Sequence, residues 1–155
     1  MNDAADCVFV NGEAHTLRNP DETVEAPAGR DGEIVRLGDS YDVQFLIGIE
    51  TDVIDLNGQI LLPGFIEAHS HFAIGSVGFK MIEGAPKLEM NLSDDVPDYS
   101  LPLLVAHGIT TARDPGGKTE VTTSVKKQAA NGSFTGPELF VAGTIIDTTY
   151  FKNLV

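Results

Sequence analysis

The sequence predicts an α/β protein in which a small strand-rich domain over residues 1–62 precedes alternating strands and helices over residues 63–155. Two observations support this prediction. The first part holds short apolar runs that are separated by turn dipeptides and show no helical period. After Pro63-Gly64, strand-like and helix-like segments alternate, which is typical of parallel βαβ units.

The first domain is predicted to contain about six short strands. Cys7–Val10 forms an apolar run that stops at Asn11-Gly12, a strong hairpin signal, and residues 14–17 are the candidate return strand. A second Asn-Gly turn lies at Asn57-Gly58. Further strands are expected at residues 32–37, 52–56 and 59–62. These short strands and tight turns indicate a small β-domain.

The second domain opens with a mostly apolar run, Phe65 to His71, which predicts a buried strand with polar residues at its end. Residues 72–95 have weak periodicity and are predicted to form a loop. A helix follows and is closed by Gly108. Two residues are candidate N-caps for this helix, and the sequence does not decide between them. Asp95 would place Pro102 in the helix interior, whereas Ser100 would leave a short helix.

Two further strands and one helix complete the predicted order. Residues 109–113 are β-branched and strand-like, and residues 138–142 form a third strand. Between them, Thr119 can cap a helix that ends at Asn131-Gly132. One stripe of this helix consists of Val121, Val125, Gln128 and Ala129. A complete (β/α)8 TIM-type barrel needs about 250 residues, so residues 63–155 are expected to be a truncated barrel holding its first three βα units.

Composition limits the classes of partner. The chain has 23 acidic and 10 basic residues and a net charge of −13, which disfavours binding to nucleic acid and to anionic membranes. The acidic excess fits either simple solubility or a high-salt habitat. A single cysteine, Cys7, excludes an internal disulfide and is read as a small buried apolar residue. The absence of a signal peptide and of a long apolar segment predicts a soluble cytoplasmic protein.

His69 and His71 form a His-x-His pair. Alternate residues on a strand point to one face, so both imidazoles would project together from the end of the first strand. Two imidazoles suit a divalent ion such as Zn, Ni, Fe or Mn, and such an ion activates water and polarises a carbonyl. Chance spacing is the competing explanation, and a closed zinc site needs three or four ligands. The position at the tip of an apolar strand favours the metal, because barrel active sites gather there.

Other polar residues have weaker functional signals. His107 precedes the helix-ending Gly108 and is read as structural, and His15 is read as a surface residue of the β-domain. Arg113 and Asp114 end the second strand of the barrel-like part. They could line the pocket, but an internal ion pair is an equal alternative.

An ordered series of motifs resembles the amidohydrolase superfamily. Residues 63–71, Pro-Gly-Phe-Ile-Glu-Ala-His-Ser-His, resemble the point where that family's small β-domain leads into its barrel. Gly108–Asp114 resembles the second barrel strand of imidazolonepropionase-like and prolidase-like members. Weaker matches lie at residues 8–12, 32–38, 53–62 and 136–137. The resemblance covers most of the chain and is weakest over residues 72–100.

The resemblance implies that His69 and His71 are metal ligands at the end of strand one. The family's other ligands lie on strands four, five, six and eight, and its general base is the strand-eight aspartate. The chain is therefore expected to be an N-terminal fragment with half a metal site and no identifiable catalytic base. Glu67 stands where the family usually has Asp, which puts any role of Glu67 in doubt.

The implied function is hydrolysis of a carbon–nitrogen bond other than an ordinary peptide bond, in a small-molecule amide, cyclic amide or dipeptide-like substrate. The implied cofactor is one or two divalent metal ions, with zinc expected. Two alternatives remain: a non-catalytic truncated product, and a subunit of a split enzyme completed by another chain. An unpaired sheet edge and an uncovered apolar face would also favour self-association.

Overall fold

The computed structural model describes residues 4–91 and 93–145 of the chain. They form two compact units, the first ending at Pro63 and the second beginning at Gly64. Both contain strands and helices, so the structure is of the mixed α/β class. Within these described ranges, no helix is long and apolar enough to span a membrane.

The first unit contains two small sheets. One is four-stranded with the order β5-β4-β1-β6, and the other is three-stranded with the order β3-β2-β7. The strands are β1 Cys7–Val10, β2 Glu13–His15, β3 Thr23–Val24, β4 Ala26–Arg30, β5 Glu33–Gly38, β6 Asp52–Asp55 and β7 Ile60–Leu61. Helix α1, Ser40–Val43, and a 3-10 turn, Gln44–Leu46, lie between β5 and β6.

The predicted hairpin at Asn11-Gly12 is wrong, because β1 and β2 belong to different sheets. β1 pairs in parallel with β6, and β2 pairs in parallel with β7. The two Asn-Gly segments run side by side where they pass from one sheet to the other. Gly58 N donates to Asn11 O at 2.7 Å, and Leu56 N donates to Val10 O at 2.9 Å. Each Asn-Gly pair therefore marks a point where the chain passes from the four-stranded sheet to the three-stranded one.

β4 was not predicted from the sequence. Its residues, Ala-Pro-Ala-Gly-Arg, lack the β-branched and aromatic side chains that favour strands. The small side chains of Ala26 and Ala28 are nevertheless buried, at 0% and 2% exposure, and pack with Val8 and Val43 in the first unit's core. β4 and β5 form a hairpin at Asp31-Gly32, where both residues have the positive φ of a type I′ turn.

The second unit confirms the predicted alternation of strands and helices. β8 Phe65–Glu67, β11 Ile109–Asp114 and β12 Glu138–Val141 form a parallel sheet with the order β12-β11-β8. α2 Val96–Ala106 and α3 Thr119–Ala130 precede β11 and β12 respectively. Residues of both helices and two strands share one buried core, which consists of Phe72, Ala73, Leu101, Ala112, Val125 and Leu139.

The predicted loop over residues 72–95 contains a hairpin instead, β9 Val77–Ile82 and β10 Ala85–Met90. Its turn is Glu83-Gly84, with φ of 54° and 77°. Alternate residues of β9 put Val77, Phe79 and Met81 on one face, and all three are exposed. The prediction failed because glutamate is not a usual residue at a left-handed turn position.

The structure fixes three of the predicted helix boundaries. Asp95 is at the N-cap position of α2, so the longer alternative is correct and Pro102 lies inside the helix. Gly108 follows α2 with φ of 79°, as a glycine that ends a helix should. α3 starts one residue earlier than expected, because Lys118 is at the N-cap position and Thr119 is the first helical residue.

Candidate metal centre

The candidate ligands His69 and His71 lie just beyond strand β8. β8 ends at Glu67, so the prediction of one strand from Phe65 to His71 is wrong. The Glu67 Oε1 atom accepts a hydrogen bond from His69 N at 2.9 Å and bends the chain after the strand. Ser70 N then donates to Arg113 O at 2.9 Å, which ties the bend to the end of β11. A local turn, rather than strand alternation, therefore places the two histidines.

The turn still brings the two imidazole rings together. Their centroids are 5.2 Å apart, and the ring planes meet at 78° in an edge-to-face arrangement. His69 is exposed, whereas the His71 side chain is 35% exposed. The expected juxtaposition of the two rings is thus present, although its structural cause differs from the expected one.

The second imidazole is held by the turn that follows β11. His71 Nδ1 lies 2.7 Å from the carbonyl oxygen of Gly116. A carbonyl oxygen can only accept a hydrogen bond, so the network assigns the proton to Nδ1 and leaves Nε2 with a free lone pair. A neutral imidazole with this tautomer is a suitable metal donor.

Asp114, at the end of β11, is the other group beside His71. It is 1% exposed, and its Oδ1 atom lies 3.5 Å from His71 Nδ1. Oδ1 accepts a hydrogen bond from Gly116 N at 2.8 Å, and no protein group in the described part of the chain bonds the buried Oδ2. Burial raises the pKa of the Asp114 carboxyl, while the Gly116 N–H and His71 oppose that rise.

Arg113 and Asp114 were predicted either to line the pocket or to form an ion pair. Adjacent residues on a strand face opposite sides. Arg113 is accordingly exposed and lines an open groove of about 490 Å³, together with Ile66, Ala68, Thr111 and Phe140. Asp114 is buried on the other side, and no ion pair joins the two among residues 4–91 and 93–145.

The histidine pair fits part of a metal site. Neutral imidazole nitrogens are common zinc ligands, but such sites use at least three protein ligands. Within the described part of the chain, no group of three or more His, Cys, Asp or Glu residues is placed to hold an ion. The described residues therefore supply two donors at most and leave the remaining coordination positions to other groups.

The remaining histidines have structural contacts. His107 Nδ1 lies 2.8 Å from Leu103 O at the end of α2, as the structural interpretation predicts. His15 pairs with Glu13 at 3.0 Å. Sequence reasoning left the role of Asp114 open and missed that of the Gly116 carbonyl. The signal was an acid at the start of an Asp-Pro-Gly-Gly turn, next to the strand that carries the histidines.

Comparison with known proteins places these features in context. No protein-family model matches the chain. The exoenzymes regulatory protein AepA of Pectobacterium carotovorum subsp. carotovorum is 31% identical over 93 residues, which are 57% of this chain and 20% of that protein. The N-substituted formamide deformylase of Arthrobacter pascens is 25% identical over 76 residues, which are 49% of this chain and 14% of that protein. The aligned regions thus span a fifth or less of these relatives.

Solved structures match much more of the chain. Phenylurea hydrolase B has a TM-score of 0.71 at 18% identity and covers 94% of this chain and 32% of its own. Molinate hydrolase has a TM-score of 0.70 at 23% identity, with 92% and 31% covered. A metal-dependent hydrolase from Pyrococcus furiosus has a TM-score of 0.66 at 10% identity, with 87% and 49% covered.

The chain shares the fold of part of the amidohydrolase-type metal-dependent hydrolases. The resemblance that the sequence motifs indicated is thereby confirmed at the level of fold. The chain spans about a third to a half of the length of these structural neighbours.

Proposed function

We propose that this amidohydrolase-like chain carries part of the active site of a metal-dependent hydrolase that cleaves carbon–nitrogen bonds other than ordinary peptide bonds. His69 and His71 are two ligands of a divalent ion, and zinc is the ion proposed. The observation that carries the proposal is the adjacency of the two rings, 5.2 Å between centroids, with His71 Nδ1 held by the Gly116 carbonyl. That contact leaves His71 Nε2 free for the metal.

The chain's own residues have defined parts in this proposal. The Glu67 carboxylate holds the backbone of His69, and the Gly116 carbonyl orients the ring of His71. When bound, the ion supplies Lewis acidity toward a carbonyl and makes a water more acidic. Further ligands and the general base are required from residues outside the described part, in this polypeptide or in another.

The proposed substrate is a small molecule with an amide, cyclic amide or urea-type carbon–nitrogen bond. The names of two similar proteins, N-substituted formamide deformylase and phenylurea hydrolase B, support this substrate class.

Metal binding by the 155-residue chain tests the proposal. We expect the wild-type chain to bind zinc in isothermal titration calorimetry and to retain zinc after desalting, as measured by inductively coupled plasma mass spectrometry. His69→Ala and His71→Ala should each weaken binding strongly, because each removes one of two donors. His107→Ala is the matched control, since His107 is exposed and bonds Leu103 O. Unchanged zinc content in the His69→Ala/His71→Ala double variant would refute the metal site.

A non-catalytic role is the second candidate function. Its support is that the described residues hold no complete metal cluster, and that one similar protein, AepA, is named as a regulatory protein. Hydrolysis of an N-substituted formamide or a phenylurea by the zinc-loaded chain, lost in His71→Ala but kept in His107→Ala, would favour the hydrolase. Zinc binding without turnover, alone or with an added complementing polypeptide, would favour the non-catalytic role.

A further inference from the structure

We propose that Asp114 is a positioning residue for His71: it fixes the turn whose Gly116 carbonyl receives the Nδ1 proton, and so makes Nε2 the metal-binding nitrogen. The inference deepens the proposed function and rests on it for the metal. The contacts of Asp114, Gly116 and His71 support it without reference to any ion.

Asp114 stabilises the turn that follows β11. Asp114 Oδ1 accepts the hydrogen bond of Gly116 N, two residues further along, at 2.8 Å. This is an Asx turn, in which a side chain replaces a backbone acceptor. The hydrogen bond fixes the peptide group that precedes Gly116. The carbonyl oxygen of Gly116 in turn lies 2.7 Å from His71 Nδ1. The carboxylate therefore acts on the imidazole through one residue.

The turn has little freedom to move. A Cβ atom on Gly116 would lie 2.1 Å from Ile145 Cγ1, so a side chain at this position would collide with its neighbour. Gly117 N donates to Gly143 O at 3.0 Å, and Ala142 N donates to Asp114 O at 3.0 Å. These contacts attach both ends of the turn to the segment that follows β12, so the Gly116 carbonyl has a fixed direction.

The second carboxylate oxygen of Asp114 is not needed for the turn. An Asx turn needs only one side-chain oxygen, which asparagine also supplies. Asp114 keeps a second oxygen buried and without a protein partner in the described part of the chain, and such atoms are costly. The carboxylate lies 3.5 Å from His71 Nδ1, beyond good hydrogen-bond distance but close enough to favour a proton on that nitrogen. Groups that orient a histidine through its second nitrogen in this way are typical of metal sites.

The tautomer of His71 tests the inference directly. It is read from the ¹⁵N chemical shifts of the ring in the metal-free 155-residue chain, at a pH about two units above the ordinary histidine pKa of ~6.5. We expect the Nδ1–H form in the wild type. Asp114→Ala should lose this preference, because the turn loses its acceptor. Asp114→Asn should restore it, since the amide oxygen can accept from Gly116 N. Asp94→Asn, at an exposed acid of the same unit, is the charge-loss control.

Zinc affinity supplies the second measurement. Loss of a group that orients a ligand typically weakens metal binding about 10- to 100-fold, and we expect a loss in this range for Asp114→Ala and a smaller one for Asp114→Asn. Asp94→Asn should bind like the wild type. If Asp114→Ala does not fold, Asp114→Val takes its place, because valine fills the space and suits the end of a strand.

The outcomes separate this inference from the proposed function. An Nε2–H tautomer in the wild type, or an Nδ1–H tautomer that survives Asp114→Ala or Asp114→Val, would overturn the positioning role whatever the zinc result. The opposite result is also possible: the tautomer of His71 depends on Asp114, but His71→Ala leaves the zinc content unchanged. That result would uphold the positioning role and refute the metal site.

Discussion

Two regions of the chain bend at dipeptides that end in glycine, but the strands that these dipeptides join are paired differently. In residues 7–62, Asn11-Gly12 and Asn57-Gly58 join strands that lie in different sheets. In residues 77–90, Glu83-Gly84 joins two strands that pair directly across the turn. The two Asn-Gly pairs thus make no hairpin, whereas Glu83-Gly84 does.

The difference shows that a turn sequence specifies a change of direction but not a partner. Asn57-Gly58 has positive φ at both residues, as a type I′ turn requires, and Gln59 N donates to Leu56 O at 2.8 Å. β6 nevertheless pairs with β1, and β7 pairs with β2. In the 77–90 hairpin, the described strand partners of β9 and β10 are each other. Competition from other strands therefore decides whether a turn becomes a hairpin.

The largest predicted effect on stability is at Gly12, where the chain passes between the two sheets of the first unit. A Cβ atom on Gly12 would lie 2.3 Å from Leu56 Cδ1 and 2.8 Å from the backbone oxygen of Gln59, whereas one on Gly58 would meet nothing within 4 Å. Gly12→Ala should lower the free energy of unfolding by about 3 kcal/mol, the upper end of typical overpacking. Gly58→Ala should cost only about 1–2 kcal/mol, for a left-handed backbone.

Urea denaturation followed by far-ultraviolet circular dichroism measures both changes. The two glycines occupy the same place in the same Asn-Gly motif, so each variant is the other's control. Equal losses would mean that the crowding around Gly12 relaxes freely, and that the two crossings are equivalent in energy as well as in sequence.

The hairpin of residues 77–90 predicts a smaller and more local effect. Gly84 has φ of 77° and Gly78 has an ordinary strand conformation, and neither has an atom within 4 Å of an added Cβ. Gly84→Ala should destabilise the hairpin by about 1–2 kcal/mol. Gly78→Ala should be neutral or slightly stabilising, because it reduces the freedom of the unfolded chain. Amide hydrogen exchange in β9 and β10 reports the difference, and equal protection in both variants would contradict the turn assignment.

Much of the second unit could be predicted because its signals are local. The β-branched run at residues 109–113, the helical stripe from Val121 to Ala129 and the turn at Asn131-Gly132 each predict their element without knowledge of any other. β4 could not be predicted in this way. Its small residues form a strand because Val8 and Val43 bury them, and that contact depends on distant parts of the chain.

The candidate site also has features that local sequence predicts and features that depend on contacts elsewhere in the structure. Its histidines stood out because of their spacing and their motif, which are properties of nine consecutive residues. The turn that Glu67 stabilises and the contact between His71 and Gly116 depend on side-chain to backbone hydrogen bonds, the second across 45 residues of sequence. Sequence periodicity does not indicate such contacts. The orientation of His71 and the burial of Asp114 could therefore be seen only in the structure.

The smallest predicted effect is a gain in the stability of the 77–90 hairpin. It concerns Glu83, the turn residue because of which the hairpin was not predicted from the sequence. Glu83 has φ of 54°, a conformation that asparagine adopts far more readily than glutamate. Glu83→Asn creates the Asn-Gly pair of a type I′ turn and should stabilise the hairpin by about 0.5–1 kcal/mol, seen as slower amide exchange in β9 and β10. Glu83→Gln removes the same charge without the turn preference and should change exchange little. If both variants slowed exchange equally, charge rather than backbone conformation would limit this turn. If neither did, the ends of the hairpin rather than its turn would determine its stability.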